Sequence, residues 1–336
     1  MGFLLALFYY LCENEIRNFF FRTMSKTKLT ELLEIEHPII MAPMFLVSDT
    51  GMIIEALKSG ITAAFPALNY RTDEEFRSAI DEIRNATDKP FGVNLIVNKS
   101  NPKYPQQLIT CVDKKVDFII TSLGSPREVI EKSKPVGIKV FCDVTNVQYA
   151  KKVVDLGADA IIGVGAEAGG HAGNIKIKDL ISQLKVEFDI PIISAGGVAT
   201  KSQIDEMIEA GADGVSVGTV FIAAKECGVS DEYKQALVDY GAKDVVRTSN
   251  LSGSPLTVIN TPYVQEIGTE PSFLMRMMIK HKKLRKILKM VIAVQGMNKI
   301  KKSAFSASYK TYFVAGPSIE HINKVRPLKE IVEDLV

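Results

Sequence analysis

Eight short apolar runs, each separated from the next by a longer polar stretch, recur between residues 38 and 219 and leave few architectures open. They are PIIMAPM (38–44), ITAAFPAL (61–68), FGVNLIV (91–97), DFIITSL (117–123), IKVFCDV (138–144), ADAIIGVG (158–165), IPIISAGG (190–197) and ADGVSVGT (212–219). A strand with one wet face alternates apolar and polar residues, whereas these runs are apolar almost throughout. That composition fits strands buried on both faces of a parallel sheet. The intervening stretches read as helices, for example 72–87 and 200–211, the second opening on Thr200 as N-cap and ending at Gly211. KSG-IT (58–62), DLG-AD (155–159) and EAG-AD (209–213) repeat one stop signal. In each, a glycine free to turn left-handed ends the helix and returns the chain to a strand. Eight strands in eight such units is the count that closes a barrel. A doubly wound open sheet, the competing arrangement, commonly uses about five or six strands. The expected fold is α/β, a (β/α)8 TIM barrel over residues 29–228.

The flanks differ from this repeat. At 336 residues and 46% hydrophobic, the chain has more than one small core requires. Residues 229–336 are expected to form a mostly helical appendage packed over the barrel. Within them 231–241 and 272–298 pattern as helix, and 247–265 reads as a loop rich in turn residues. Residues 276–302 hold ten Lys or Arg and no Asp or Glu; removing those ten from the net charge of +2 leaves −8 elsewhere. A solvated cationic helix face is preferred over an anion- or lipid-binding surface, because Leu274, Met277, Leu284, Leu288 and Val291 recur at helical spacing and would dock it. The small net charge gives no global argument for nucleic acid.

At the other end, GFLLALFYYLC (2–12) is too short to span a bilayer. It lacks the cationic segment and the small-residue cleavage site of a signal peptide. Residues 1–28 are therefore expected to be a dispensable extension, or to reflect an upstream start with Met24 the true one, in preference to a membrane-surface anchor. Cys12, Cys111, Cys142 and Cys227 are scattered with no CxxC pair, so neither a metal site nor a disulfide framework is expected, and the setting is a reducing, cytoplasmic one. The assembly is left open between monomer and homodimer.

Active sites of such barrels lie at the C-terminal ends of the strands. Those after strands seven and eight hold SAGGVAT (194–200) and SVGT (216–219). Gly196, Gly197, Gly218 and Thr219 allow a close backbone approach, and N–H groups there form an anion cradle at the usual phosphate position of the fold. Tight turns that merely need glycine are the alternative. After strand six comes GVGAEAGGHAG (163–173). Its Gly163-x-Gly165-x-x-Ala168 only superficially matches a dinucleotide fingerprint, since no helix pattern begins at once and no acidic strand end follows about twenty residues on. The better reading is a glycine-lined loop presenting His171 beside a flat cofactor. A neutral imidazole there could move a proton or hold an anionic substrate; a structural histidine is the alternative. Ala42, Pro43 and Met44 would set backbone and a soft thioether against a ring system. Asn94 would offer donor and acceptor to a uracil-like edge. Ser122 and Asp143 end strands four and five, with Asp143 either a ribityl hydroxyl acceptor or a structural cap.

In order, PIIMAPM, FGVNLIV, GAEAGGHAG, PIISAGGVAT and ADGVSVGT resemble the nitronate monooxygenase family, also called 2-nitropropane dioxygenases, over about residues 29–227 and more loosely to about 330. The resemblance implies an FMN-dependent, metal-free barrel that oxidises alkyl nitronates with O2. His171 would be its active-site histidine. Residues 42–44, Asn94, Gly170, Gly196, Gly197, Gly218 and Thr219 would be flavin contacts, and AGPSI (315–319) would close over the site. The same motifs are similar to those of FMN-dependent enoyl-acyl-carrier-protein reductases and NAD(P)H:quinone reductases. An enoyl thioester with NAD(P)H is thus the second substrate expectation, and a non-catalytic binding protein the remote third.

Overall fold

The computed structural model describes residues 26–98, 101–250, 255–270 and 312–336. The N-terminal apolar run, the helix expected over 272–298 and the basic segment lie outside these. Eight parallel strands close into a barrel in sequence order, β1 Ile39–Met41, β2 Thr62–Pro66, β3 Gly92–Ile96, β4 Phe118–Ser122, β5 Lys139–Val144, β6 Ala160–Val164, β7 Ile192–Ala195 and β8 Gly214–Val217. Each falls inside one of the eight apolar runs. The pairing of Ile39, Ile40 and Met41 with Val215, Ser216 and Val217 joins the first strand to the last, which decides against an open sheet.

The helices explain themselves locally. The helix Asp73–Ala86 has a capping box between Thr72 and Glu75, three acids in its first turn and an apolar face of Phe76, Ala79, Ile80 and Ile83. The helix α1, Lys201–Glu209, is capped by Thr200, whose side chain accepts from Gln203 N. Gly60, Gly157 and Gly211 all take positive φ, at 85°, 94° and 108°, as the repeated stop signal requires.

Two cores result from the strand alternation. Outward residues such as Met41, Phe65, Leu95, Ile119 and Ile161 pack under the helices. Inward residues Ile40, Ala64, Phe118, Ile120, Phe141, Ile162 and Ile193 fill the barrel axis, and Leu29 and Leu33 of the short N-terminal helix Lys28–Leu33 plug its floor. The Phe118 and Phe141 rings stack at 4.9 Å. Space for them comes from two glycines: a Cβ on Gly92 would collide with the Phe118 ring, and one on Gly214 with Leu29.

Two features depart from the sequence reading. The segment expected as a loop over 247–265 contains an antiparallel ribbon, β9 Val245–Thr248 with β10 Leu256–Ile259, followed by a helix Pro262–Ile267. Three of the four residues in each strand are β-branched, but four residues are too short a run to stand out beside the Ser-, Asn- and Gly-rich stretch 249–254 between them. The eighth unit also lacks a long helix of its own, since only Thr219–Ile222 follows β8 directly. The final helix, Leu328–Leu335, instead packs against the helix Thr50–Lys58 and α1, completing the ring from the far end of the chain.

Substituting Gly92→Ala should destabilise the protein by about 1–3 kcal/mol through overpacking of the axis. Pairing it with Phe118→Leu should recover part of the loss. Urea midpoints of the two single variants and the double variant check this; simple additivity would mean the two positions do not share the space.

Candidate active site

Around the C-terminal mouth the strand order sets the order of the polar groups. Asn94, Ser122 and Asp143 all point into the barrel, two residues beyond the inward-facing Gly92, Ile120 and Phe141, as a period of two requires. They form one chain. Asn94 Nδ2 donates to Ser122 Oγ at 2.8 Å and to Ile120 O at 3.2 Å, and Ser122 Oγ donates to Asp143 at 2.5 Å. Both amide hydrogens of Asn94 are thereby engaged, which leaves its Oδ1 as the acceptor to offer. Asp143 is the penultimate residue of β5. Desolvation pushes its carboxyl up to about 6, against the opposing hydrogen bond from Ser122.

Across the mouth, Ala42 N continues the barrel ladder by donating to Val217 O at 2.8 Å. Ser48 Oγ donates to Ala42 O at 3.1 Å and accepts from Met44 N at 2.9 Å. Asn69 secures the same loop, accepting from Leu46 N and donating to Ser48 O, and so holds Leu46 at a left-handed φ of 61°. Pro43 sits half-buried between Ala42 and Met44. A Cβ on Gly218 would lie 3.4 Å from Met44 Sδ and 3.6 Å from Ala42 Cβ, so the β1 and β8 ends adjoin. Among the described residues the N–H groups of Gly197, Gly218 and Thr219 have no backbone acceptor, as a cradle for an anion requires. Ala199 N is already taken by Gln203 Oε1.

His171 stands between these two walls on the loop after β6. That loop leans on the cradle: a Cβ on Gly196 would lie 2.7 Å from Ala168 N, and one on Gly197 3.0 Å from Glu167 Cβ. Gly196 and Gly197, at φ of 124° and 76°, therefore serve protein packing as well as any ligand approach. Thr219 has a similar second duty, its hydroxyl accepting from Gly316 N at 3.0 Å. Residues 312–316 return here: Tyr233 Oη donates to Val314 O, the Tyr233 and Phe313 rings stack at 4.7 Å, and Gly316 N would lie 2.8 Å from a Cβ on Gly169. The AGPSI segment thus lands beside the His171 loop. His171 is exposed, yet desolvation by the protein around it lowers its pKa from the ordinary value and so favours the neutral form.

On both sides of His171 the loop is tied to the ribbon. Gly170, at φ 72°, exchanges backbone hydrogen bonds with Thr257, and Arg247 donates to Ala172 O at 2.7 Å and Asn174 Oδ1 at 3.0 Å. Sequence reasoning missed Ser48, Asn69, Tyr233 and Arg247. Asn69, Tyr233 and Arg247 act across long separations, and Ser48, though only four and six residues from its partners, belongs to no motif that would flag it. The concavity at the opposite, N-terminal face is lined by mixed charges, among them Asp88, Lys89, Asp117 and Lys139, and contains none of the candidate residues.

The raised Asp143 pKa has a checkable sign. Between the ordinary value near 3.8 and about 6 the unfolded chain releases this proton while the folded one keeps it. The group therefore costs stability progressively as pH rises through that window. In ligand-free protein Asp143→Asn should gain several degrees of Tm relative to wild type on going from pH 4 to pH 7.5. A Tm difference that does not change with pH would remove Asp143 as a buried charge.

The model of the nitronate monooxygenase family matches residues 26–336. A Rhodococcus jostii (strain RHA1) relative, (3aS,4S,5R,7aS)-5-hydroxy-7a-methyl-1-oxo-octahydro-1H-indene-4-carboxyl-CoA dehydrogenase, is 31% identical over 242 residues, 72% of this chain and 68% of its own. A probable nitronate monooxygenase of Staphylococcus aureus (strain JH9) is 28% identical over 289 residues, covering 73% of this chain and 81% of its own. FabK from Thermotoga maritima superposes with a TM-score of 0.81 at 29% identity, over 93% of this chain and 95% of that one. With a closed barrel, the β6 histidine loop and a family match over nearly the whole described length, this chain belongs to the nitronate monooxygenase family of oxidoreductases.

Proposed function

We propose that the protein is an FMN-dependent oxidoreductase that oxidises alkyl nitronates with O2. The observation that carries this reading is His171, held through its neighbours Gly170 and Ala172 on a loop between the N–H groups of Gly197, Gly218 and Thr219 and the arc of Asn94, Ser122 and Asp143. The order of these features around one mouth, polar arc, histidine loop and N–H groups, suits a flat ring system with a phosphate tail. Gly197, Gly218 and Thr219 would take the phosphate through their N–H groups. Ser122 and Asp143 would face the ribityl hydroxyls, Asn94 Oδ1 the uracil-like edge, and Ala42, Pro43, Met44 and Gly170 the rings, with Gly196 shaping the cradle. Bound FMN would supply the chemistry, accepting electrons from the nitronate and passing them to O2. The chain's own part is to bind and orient: His171 donates a ring N–H to the anionic nitronate and holds it, while the 312–316 segment limits water. With its pKa lowered, His171 could instead take the α-proton of a neutral nitroalkane and so form the nitronate. The free, buried Cys111, Cys142 and Cys227 favour a reducing, cytoplasmic setting; among the described residues no helix is long and apolar enough to cross a membrane.

A second reading is reduction of enoyl thioesters with NAD(P)H; the relative named a carboxyl-CoA dehydrogenase supports its thioester substrate. In that case His171 would face the thioester, and the basic 276–302 segment would suit an acidic carrier.

Purified protein should be yellow and take up oxygen with propionate 3-nitronate in the absence of nicotinamide. No uptake with any short nitronate, alongside bleaching of the flavin by NADH or NADPH under anaerobic conditions, would select the second reading. A colourless preparation that gains no flavin from added FMN would defeat both. His171→Asn should keep its flavin and lose about 10²- to 10⁴-fold in kcat/KM, as for a group acting on the reacting atoms. A loss below about threefold would return His171 to a structural role.

A further inference from the structure

Arg247 and Thr257 are directly opposed residues of the β9–β10 ribbon. From that single cross-strand pair, Thr257 holds Gly170 through two backbone hydrogen bonds, N to O at 2.8 Å and the return bond at 3.4 Å. Arg247 holds Ala172 O at 2.7 Å and Asn174 Oδ1 at 3.0 Å through its two terminal nitrogens. The two residues adjoining His171 in sequence, 170 and 172, are thus gripped from one pair. The base of the loop is fixed independently, by Gly173 N donating to Gly165 O at 2.9 Å and Ala166 N to Ile175 O at 2.8 Å. Between these points the backbone at His171 has little freedom left, Gly170 already being in a left-handed conformation that other residues avoid.

The chemistry of Arg247 matches this task. Its side chain is exposed, and among the described residues it forms no ion pair. Its two terminal nitrogens are directed at two neutral oxygens of one loop. A planar guanidinium can meet two acceptors at fixed separation, whereas a lysine ammonium is a point donor on a flexible stem. We infer that Arg247 is a positioning residue that fixes His171 from the C-terminal ribbon, making the ribbon part of the active-site machinery although it contributes no group to the reaction. The inference rests on His171 meeting substrate as proposed above.

The test uses the full chain with its bound flavin. Arg247→Ala should keep flavin content and lose about 10- to 100-fold in kcat/KM, the scale on which a misplacement of about 1 Å is felt. Arg247→Lys should fall between it and wild type, and millimolar guanidinium should restore part of the activity of Arg247→Ala alone. In a His171→Asn background the same Arg247→Ala change should cost nothing more, because the residue it positions is gone. Independently of any substrate, the His171 Cε1–H proton resonance should shift and its titration midpoint move in Arg247→Ala. Losses that multiply in the double variant, or a His171 resonance and midpoint identical to wild type, would overturn the inference. If His171→Asn is itself silent while the resonance moves in Arg247→Ala, the positioning stands and the substrate role of His171 is what fails.

Discussion

A parallel barrel of eight strands must bury both faces of every strand, and the inner face is the harder one, because side chains from all eight strands converge on a narrow axis. Here the axis is filled by Phe118, Phe141 and a set of isoleucines, with Leu29 entering from below, and it closes only because Gly92 and Gly214 give up their side chains. The polar groups of the mouth sit one pleat above this apolar filling. Asn94, Ser122 and Asp143 continue the inward alternation of residues 92, 120 and 141, so their position and the desolvation of Asp143 are inherited from the packing beneath. The site is an extension of the core, with its chemistry in the top layer.

Much of this architecture can be read from the residues. The strands stand out because burial on both faces forces long apolar runs, and the helix ends because Gly60, Gly157 and Gly211 each occupy a conformation that other residues avoid. The candidate residues also fall where strand ends placed them, since a barrel collects strand ends in one ring. What escaped the sequence depends on contacts across long separations. The ribbon at 245–259 has two strands of four residues each, and the helix that completes the ring lies over a hundred residues beyond β8. Gly196 and Thr219 show a subtler gap. Their positions were legible, but not that Gly196 must clear Ala168 or that the Thr219 hydroxyl secures Gly316.

The two parts of the chain divide the work unevenly. The barrel supplies the N–H groups of Gly197, Gly218 and Thr219 and the polar arc from its own strand ends, a fixed frame. Among the described residues the later segments reach the same mouth at the β6 loop, the ribbon at Gly170 and Ala172 and the returning 312–316 stretch at Gly169, and at Thr219 after β8, which accepts from Gly316. Relatives with different substrates can therefore share the frame, provided that each brings its own outer segments to the histidine loop.

The plug formed by Leu29 and Leu33 has a consequence for the far end of the barrel. Side chains stack without interruption from this floor to the layer beneath Asn94, Ser122 and Asp143, so among the described residues those polar groups are approached from the C-terminal face and not along the axis. The stack also ties the two ends together: loosening the floor at Leu29 or Leu33 would loosen the layer on which the mouth stands.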